Sequence, residues 1–114
     1  MLKVILLLHR REGMSAEDFR HHWRQVHAPL LVQLPGLRRL VFNYGQSDEA
    51  GKPPAYDGIS EDWFESAEAM ELAFASPQGQ AVAEDAPNFV DTSRIQTLVV
   101  EEDDLDVPAR SARD

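Results

Sequence analysis

The sequence predicts an α+β domain in which a four-stranded antiparallel sheet carries helices on one face. Three observations predict it. Four short runs have the apolar patterns of strands, two segments have helical spacing with a serine at the start, and turns rich in glycine or proline separate them. The elements alternate as strand, helix, strand, strand, helix, strand.

Lys3 to His9 reads as the first strand, with Val4, Leu6 and Leu8 apolar on one face and Ile5 and Leu7 on the other. Arg10 to Met14 forms a turn containing Gly13, and Ser15 to about Gln33 is a helix. Ser15 is its N-cap, and Glu17 and Asp18 sit in the first turn, where carboxylates complement the helix dipole. Advancing ~100° per residue puts Phe19, Trp23, Val26, Leu30 and Leu34 on one stripe, with His22 at one border and His27 at the other. Pro29 lacks a backbone donor and crowds the preceding turn, which predicts a kink or restart near His27 and Ala28. Pro35 and Gly36 end the helix.

Leu37 to about Gln46 is the second strand, Ser47 to Ala55 a loop, and Tyr56 to Phe64 a weaker third strand. Ser66 caps a helix running to Ala75, a further turn or two extends from Pro77 to about Asp85, and Pro87 closes it. Ser93 to Glu101 is the last strand. This order is the split βαβ, ferredoxin-like arrangement. Residues 1–100 form the single domain, and residues 101–114 an acidic, flexible tail.

Composition excludes several function classes. The chain of 114 residues has no cysteine, which removes disulfides, thiolate metal sites and cysteine nucleophiles. The net charge of −9 is uneven: residues 1–47 carry +4, residues 48–100 carry −9 and residues 101–114 carry −4. An acidic chain with no basic stripe argues against nucleic acid or an anionic membrane as partner. The apolar run Val4 to Leu8 is too short for a signal-peptide core or a membrane span, so a cytoplasmic protein is expected.

Both faces of the first strand call for burial, yet in this arrangement helices cover only one. Ile59, Trp63, Leu98 and Val100 join the open face according to register. A second copy packed sheet to sheet would cover it, so a homodimer is expected.

The opening KVILLLHRREGMSAEDFRHHWRQVHAPLLVQLPGLRRLVFN resembles the EthD family of dimeric α/β barrel proteins. The first helix of that family carries a Phe, a Trp and a His-Gly/Ala-Pro-Leu run, here Phe19, Trp23, His27, Ala28, Pro29 and Leu30. The resemblance continues through Trp63-Phe64, Ser76 to Gly79 and Asn88 to Asp91, covering nearly all of residues 1–100 but not the tail. It implies links to degradation of ethers and other xenobiotics. Superfamily relatives include cofactor-free monooxygenases, isomerases, decarboxylases and haem-binding enzymes, and the usual pocket lies between helices and sheet.

That location selects the candidates. His27 is the first choice for general acid/base work on a phenol, enol or carbon acid, with Tyr44 to orient or protonate a substrate oxygen. His22 and the rings of Trp23, Phe42, Trp63 and Phe89 are candidates for binding a small apolar or aromatic molecule. His27 has an alternative role, bonding a carbonyl freed by Pro29. Asp57, Glu61 and Asp62 suit acid/base work only if buried. His22 and His27 lie five apart, ~140° around a regular helix, and are poorly placed to share a metal. No metal and no cofactor is expected, since zinc-helix, phosphate-loop and nucleophile-elbow motifs are missing.

Three readings follow: an oxidoreductase or monooxygenase-like enzyme that works without a cofactor on such a molecule, a non-catalytic binding or auxiliary protein for a partner oxygenase, and a haem-binding protein. A histidine within reach of an internal cavity separates the first from the second.

Overall fold

The strand that is apolar on both faces lies inside the sheet. In the computed structural model, which describes residues 1–109, β1 (Leu2–Leu8) pairs antiparallel with β3 (Gly58–Phe64) on one side and β4 (Gln96–Glu101) on the other. β2 (Leu37–Tyr44) pairs with β3, giving the antiparallel order β2-β3-β1-β4. The helices are α1 (Ala16–His22), α2 (Ala28–Leu31), α3 (Ala67–Ala75) and α4 (Pro77–Asp85), with a π-helical turn, Trp23–His27, joining the first two.

Register assigns the faces. Val4 lies opposite Asp62, Leu6 opposite Ser60 and Leu8 opposite Gly58, while Leu40 and Phe42 lie opposite Asp62 and Ser60 from the other side. This is the helix side, because Val4 and Phe64 form one core cluster with Leu31, Leu34 and Ala73. A second cluster joins Leu8 to Phe19, Trp23, Phe89 and Val90. Each buried aromatic or aliphatic side chain there is worth roughly 1.5–3 kcal/mol. Gly58 makes room for the second cluster: a Cβ on it would stand 2.5 Å from the Trp23 ring.

The opposite face shows Lys3, Ile5 and Leu7 beside Trp63, Glu61 and Ile59 on β3 and Val100, Leu98 and Gln96 on β4. No helix covers it. Trp63 is nonetheless only 5% exposed, because the Lys3 and Arg39 cations lie over its ring at 4.8 and 4.6 Å. Its indole Nε1–H donates to Glu102 at 3.0 Å, and Lys3 Nζ bonds Glu61 at 2.7 Å and Glu102 at 3.1 Å.

The first helix departs from the even stripe. After Trp23 the burial runs through His27, Ala28, Leu31 and Leu34, while Val26 is 45% exposed. The reason is the π turn: the Ala28 N–H bonds the Trp23 carbonyl, five residues back, so one extra residue enters the turn and every later side chain slips in phase. The wide turn relieves the crowding that the Pro29 ring would impose on the preceding carbonyls.

Strand ends also move inward, for local reasons. β3 begins at Gly58, and just before it Asp57 bonds the Leu8 carbonyl through its backbone N–H and the Arg10 backbone N–H and guanidinium through its carboxylate. β4 begins at Gln96, after a short 3-10 turn over Thr92–Arg94 in which Asp91 accepts from the Ser93 N–H and hydroxyl. The turns expected after Ser76 form α4, with Ser76 Oγ capping Gly79.

Residues 103–109 are exposed and outside any helix or strand, and the remaining five tail positions lie outside the described residues. Among the described residues, Glu102 is the last tail residue with a side-chain hydrogen bond to the domain. Truncation after Asp103 is expected to leave Tm within about two degrees of the full chain by calorimetry, whereas a fall of many degrees would show that the tail packs.

Candidate active site

The π turn that exposes Val26 carries His27 inward, to 6% exposure. There it borders a cavity of ≈ 190 Å³ between the helices and the sheet, walled by Trp23, Leu31 and Phe89 and by Ser60 and Asp62 of β3. His27 Nδ1 lies 2.8 Å from Oδ2 of Asp85, the last residue of α4. The same carboxylate takes His22 Nε2 at 3.0 Å to each oxygen and Asn88 Nδ2 at 3.1 Å. Phe89 lies against both rings, with centroids 4.8 Å from His22 and 4.7 Å from His27.

Charge follows from this geometry. Burial pushes Asp85 up, but donors on Asn88, His27 and His22 outweigh it and hold its pKa below the usual carboxylate value. An ionised carboxylate only accepts, so the nitrogens facing it carry hydrogens and neutral His27 is the Nδ1–H tautomer. Burial lowers the His27 pKa, more strongly than the Asp85 hydrogen bond raises it, which keeps the ring neutral near pH 7. Its Nε2 lone pair has no partner among the described residues. His27 is one of the residues that line the cavity. The arrangement is a neutral imidazole oriented by a carboxylate.

The sheet wall holds a second carboxylate. Asp62 is 1% exposed, and Ser60 Oγ donates to its Oδ1 at 2.6 Å. No cation pairs with it among the described residues. Burial pushes its pKa up to about 6, against the pull of the Ser60 hydrogen bond. Asp62 lines the cavity, and its Oδ2 has no hydrogen-bond partner among the described residues.

Of the residues singled out from sequence, His27, Trp23 and Phe89 line this cavity. His22 does not line it: its ring bonds Asp85 and stacks against Phe89. The ~140° separation of the two histidines does not hold, because the π turn brings residues five apart to one carboxylate. Tyr44 is not beside His27: it meets Trp23 edge-on at 5.7 Å under the Arg20 guanidinium and lines a separate open depression with Arg24 and Ala28. Phe42 stacks on Trp23 at 4.0 Å and also faces that depression. Trp63 points to the uncovered face of the sheet, because its register partner is Lys3. Asp85 and Ser60 carried no sequence signal. Asp62 did, as a carboxylate whose use depended on burial, and strand alternation puts it on the Phe64 side.

Asp62 also dictates a pH dependence. A carboxyl group whose pKa is raised on folding, here from 3.8 to about 6, contributes stability below pH 3.8 that is lost as pH rises through 6. At pH 7.5 the penalty is about 3 kcal/mol. Asp62→Asn is therefore expected to melt several degrees above wild type at pH 7.5, with the gap closing towards pH 4. Asp85 and Glu61, whose pKa values are lowered, titrate in the opposite sense in both proteins and cancel. A variant that melts lower at pH 7.5 would show that Asp62 is stabilised by a partner.

Comparison with known proteins follows the fold and the first helix. The EthD domain model matches residues 11–93. A relative from Rhodococcus erythropolis, an uncharacterized 11.0 kDa protein in the thcB-thcC intergenic region, is 39% identical over 90 residues, spanning 78% of this chain and 84% of that protein. An ethyl tert-butyl ether d (EthD) family protein from Bacillus halodurans superposes with a TM-score of 0.75 at 25% identity, covering 90% of this chain and 98% of that one. Two more distant structures share the fold. A dimeric ferredoxin-like protein of unknown function from Thermobifida fusca has a TM-score of 0.67 at 13% identity, covering 87% and 88% of the two chains. SnoaB from Streptomyces nogalater, a cofactor-independent oxygenase, has a TM-score of 0.66 at 10% identity, covering 91% and 94%. With most of its length matched by the EthD model and by a close relative, the chain belongs to the EthD family.

Proposed function

We propose that the protein is an enzyme of oxidoreductase type that works without a tightly bound cofactor on a small apolar or aromatic metabolite, with His27 as the general base. One observation carries the reading: a buried, neutral histidine, oriented through Nδ1 by Asp85 and with no partner for its Nε2 lone pair among the described residues, lines an apolar cavity. A residue that merely satisfied a carbonyl freed by Pro29 would need neither the carboxylate nor the cavity. Proton removal from a phenol or enol leaves an electron-rich anion. With dioxygen as oxidant, a phenol with a free ring position gives a quinone and water, with atoms and electrons balanced and no external reductant. The cofactor-independent chemistry of SnoaB on the same fold supports this reading by analogy.

The test is dioxygen uptake with a panel of one-ring phenols. His27→Gln keeps a donor for Asp85 but removes the titrating base, so turnover is expected to fall by about 10²-fold or more, with a small change in Tm. Asp85→Asn leaves the base but loosens its tautomer and is expected to cost less. Unchanged turnover in His27→Gln would remove the base assignment and favour the binding-protein reading.

The working form in this proposal is a homodimer that buries the uncovered sheet face around Ile5, Leu7, Ile59 and Leu98. The dimeric neighbour from Thermobifida fusca supports it. Sedimentation at micromolar concentration is expected to show a dimer with a buried area above about 1,200 Å², and Leu98→Glu, on the edge strand, is expected to shift it to monomer. A wild-type monomer would overturn this part.

A further inference from the structure

Two residues that line the cavity carry an acceptor atom with no hydrogen-bond partner among the described residues. One is His27 Nε2 on the helix wall, and the other is Asp62 Oδ2 on the sheet wall. The remaining lining is largely apolar, with Trp23, Leu31 and Phe89 among it, and no lysine or arginine borders it among the described residues. A ligand that fills such a site must bring hydrogen-bond donors, because an acceptor or an anion would leave both groups unpaired and place like charge against Asp62. Its size is also bounded, since a cavity of ≈ 190 Å³ is slightly larger than the roughly 150 Å³ that holds benzene.

We infer that Asp62 is a substrate-binding residue that selects a neutral one-ring aromatic bearing two hydroxyl groups, one donating to Asp62 Oδ2 and the other to His27 Nε2. This rests on the reading of His27 as base and deepens it: Asp62 anchors one hydroxyl while the other gives up its proton. Ser60 holds the carboxylate by Oδ1, so Oδ2 stays directed at the ligand. The preference excludes benzoates, whose carboxylate meets Asp62, and aryl ethers, which have no hydrogen to donate.

The test is calorimetric titration of the full chain under anaerobic conditions at pH 7.5 with catechol, resorcinol, hydroquinone, anisole and benzoate. At least one dihydroxybenzene is expected to bind about tenfold or more tightly than anisole, as a hydrogen bond to a charged acceptor provides, with no measurable benzoate binding. Asp62→Asn is expected to cut that preference to threefold or less and to admit benzoate. Equal binding of anisole, measurable benzoate binding by wild type, no binding of any dihydroxybenzene, or a preference that survives Asp62→Asn would each overturn the inference. Should the variant fail to fold, the wild-type ligand series decides alone. If His27→Gln abolishes phenol turnover while the dihydroxybenzene preference is missing, the base assignment stands and only the role of Asp62 falls.

Discussion

One wide helical turn sets the position of everything at the candidate site. Pro29 cannot donate to the carbonyl four residues before it and would crowd it in a regular helix. Trp23 to His27 takes the π form instead, with the Ala28 N–H bonded to the Trp23 carbonyl. The extra residue has two effects. It turns Val26 out to solvent and His27 in, and it brings His22 and His27 to one side of the helix, where a single carboxylate can meet both. Without it, the residue ahead of Ala-Pro-Leu would lie at the edge of the stripe and Asp85 would have only one histidine.

The two buried carboxylates illustrate how partners decide what burial does. Asp85 and Asp62 are both desolvated, but Asp85 gathers donors from His27, His22 and Asn88 while Asp62 has only Ser60. The first is held below its ordinary pKa and the second is pushed above it. Asp85 is therefore a fixed negative charge that orients the His27 ring. Asp62 is an underpaired group that destabilises the folded protein at neutral pH, and such groups persist where a ligand completes them.

Much of the fold was legible because it rests on local chemistry and period. Ser15, Ser66 and Ser76 cap helices by the hydroxyl contacts their positions imply, and the strands and helices follow the order their patterns imply. His27, Trp23 and Phe89 were legible at the site for a related reason, since each lies on or beside an apolar pattern. What failed was phase and pairing. A constant 100° step cannot register an inserted residue, so Val26 was placed inside and the histidines apart. Asp85 meets His27 across 58 positions of sequence, and nothing near Ala86 and Pro87 points to that contact. Trp63 fits both the open face and a pocket wall by sequence, and the single-residue step from Asp62 decides for the open face.

The sheet keeps two functions apart by that same alternation. Along β3, Ser60 and Asp62 face the cavity while Ile59, Glu61 and Trp63 face the uncovered side, and β1 repeats the division with Leu6 and Leu8 against Ile5 and Leu7. The two tryptophans fall one to each side: Trp23 walls the cavity, and Trp63 is covered by Lys3, Arg39 and the Glu102 carboxylate. A change on one face therefore reaches the other only through the backbone of a shared strand. Substitutions at Ile5 or Leu98 alter the uncovered face, those at Ser60 or Asp62 alter the cavity, and β3 is where the two faces meet, residue by residue.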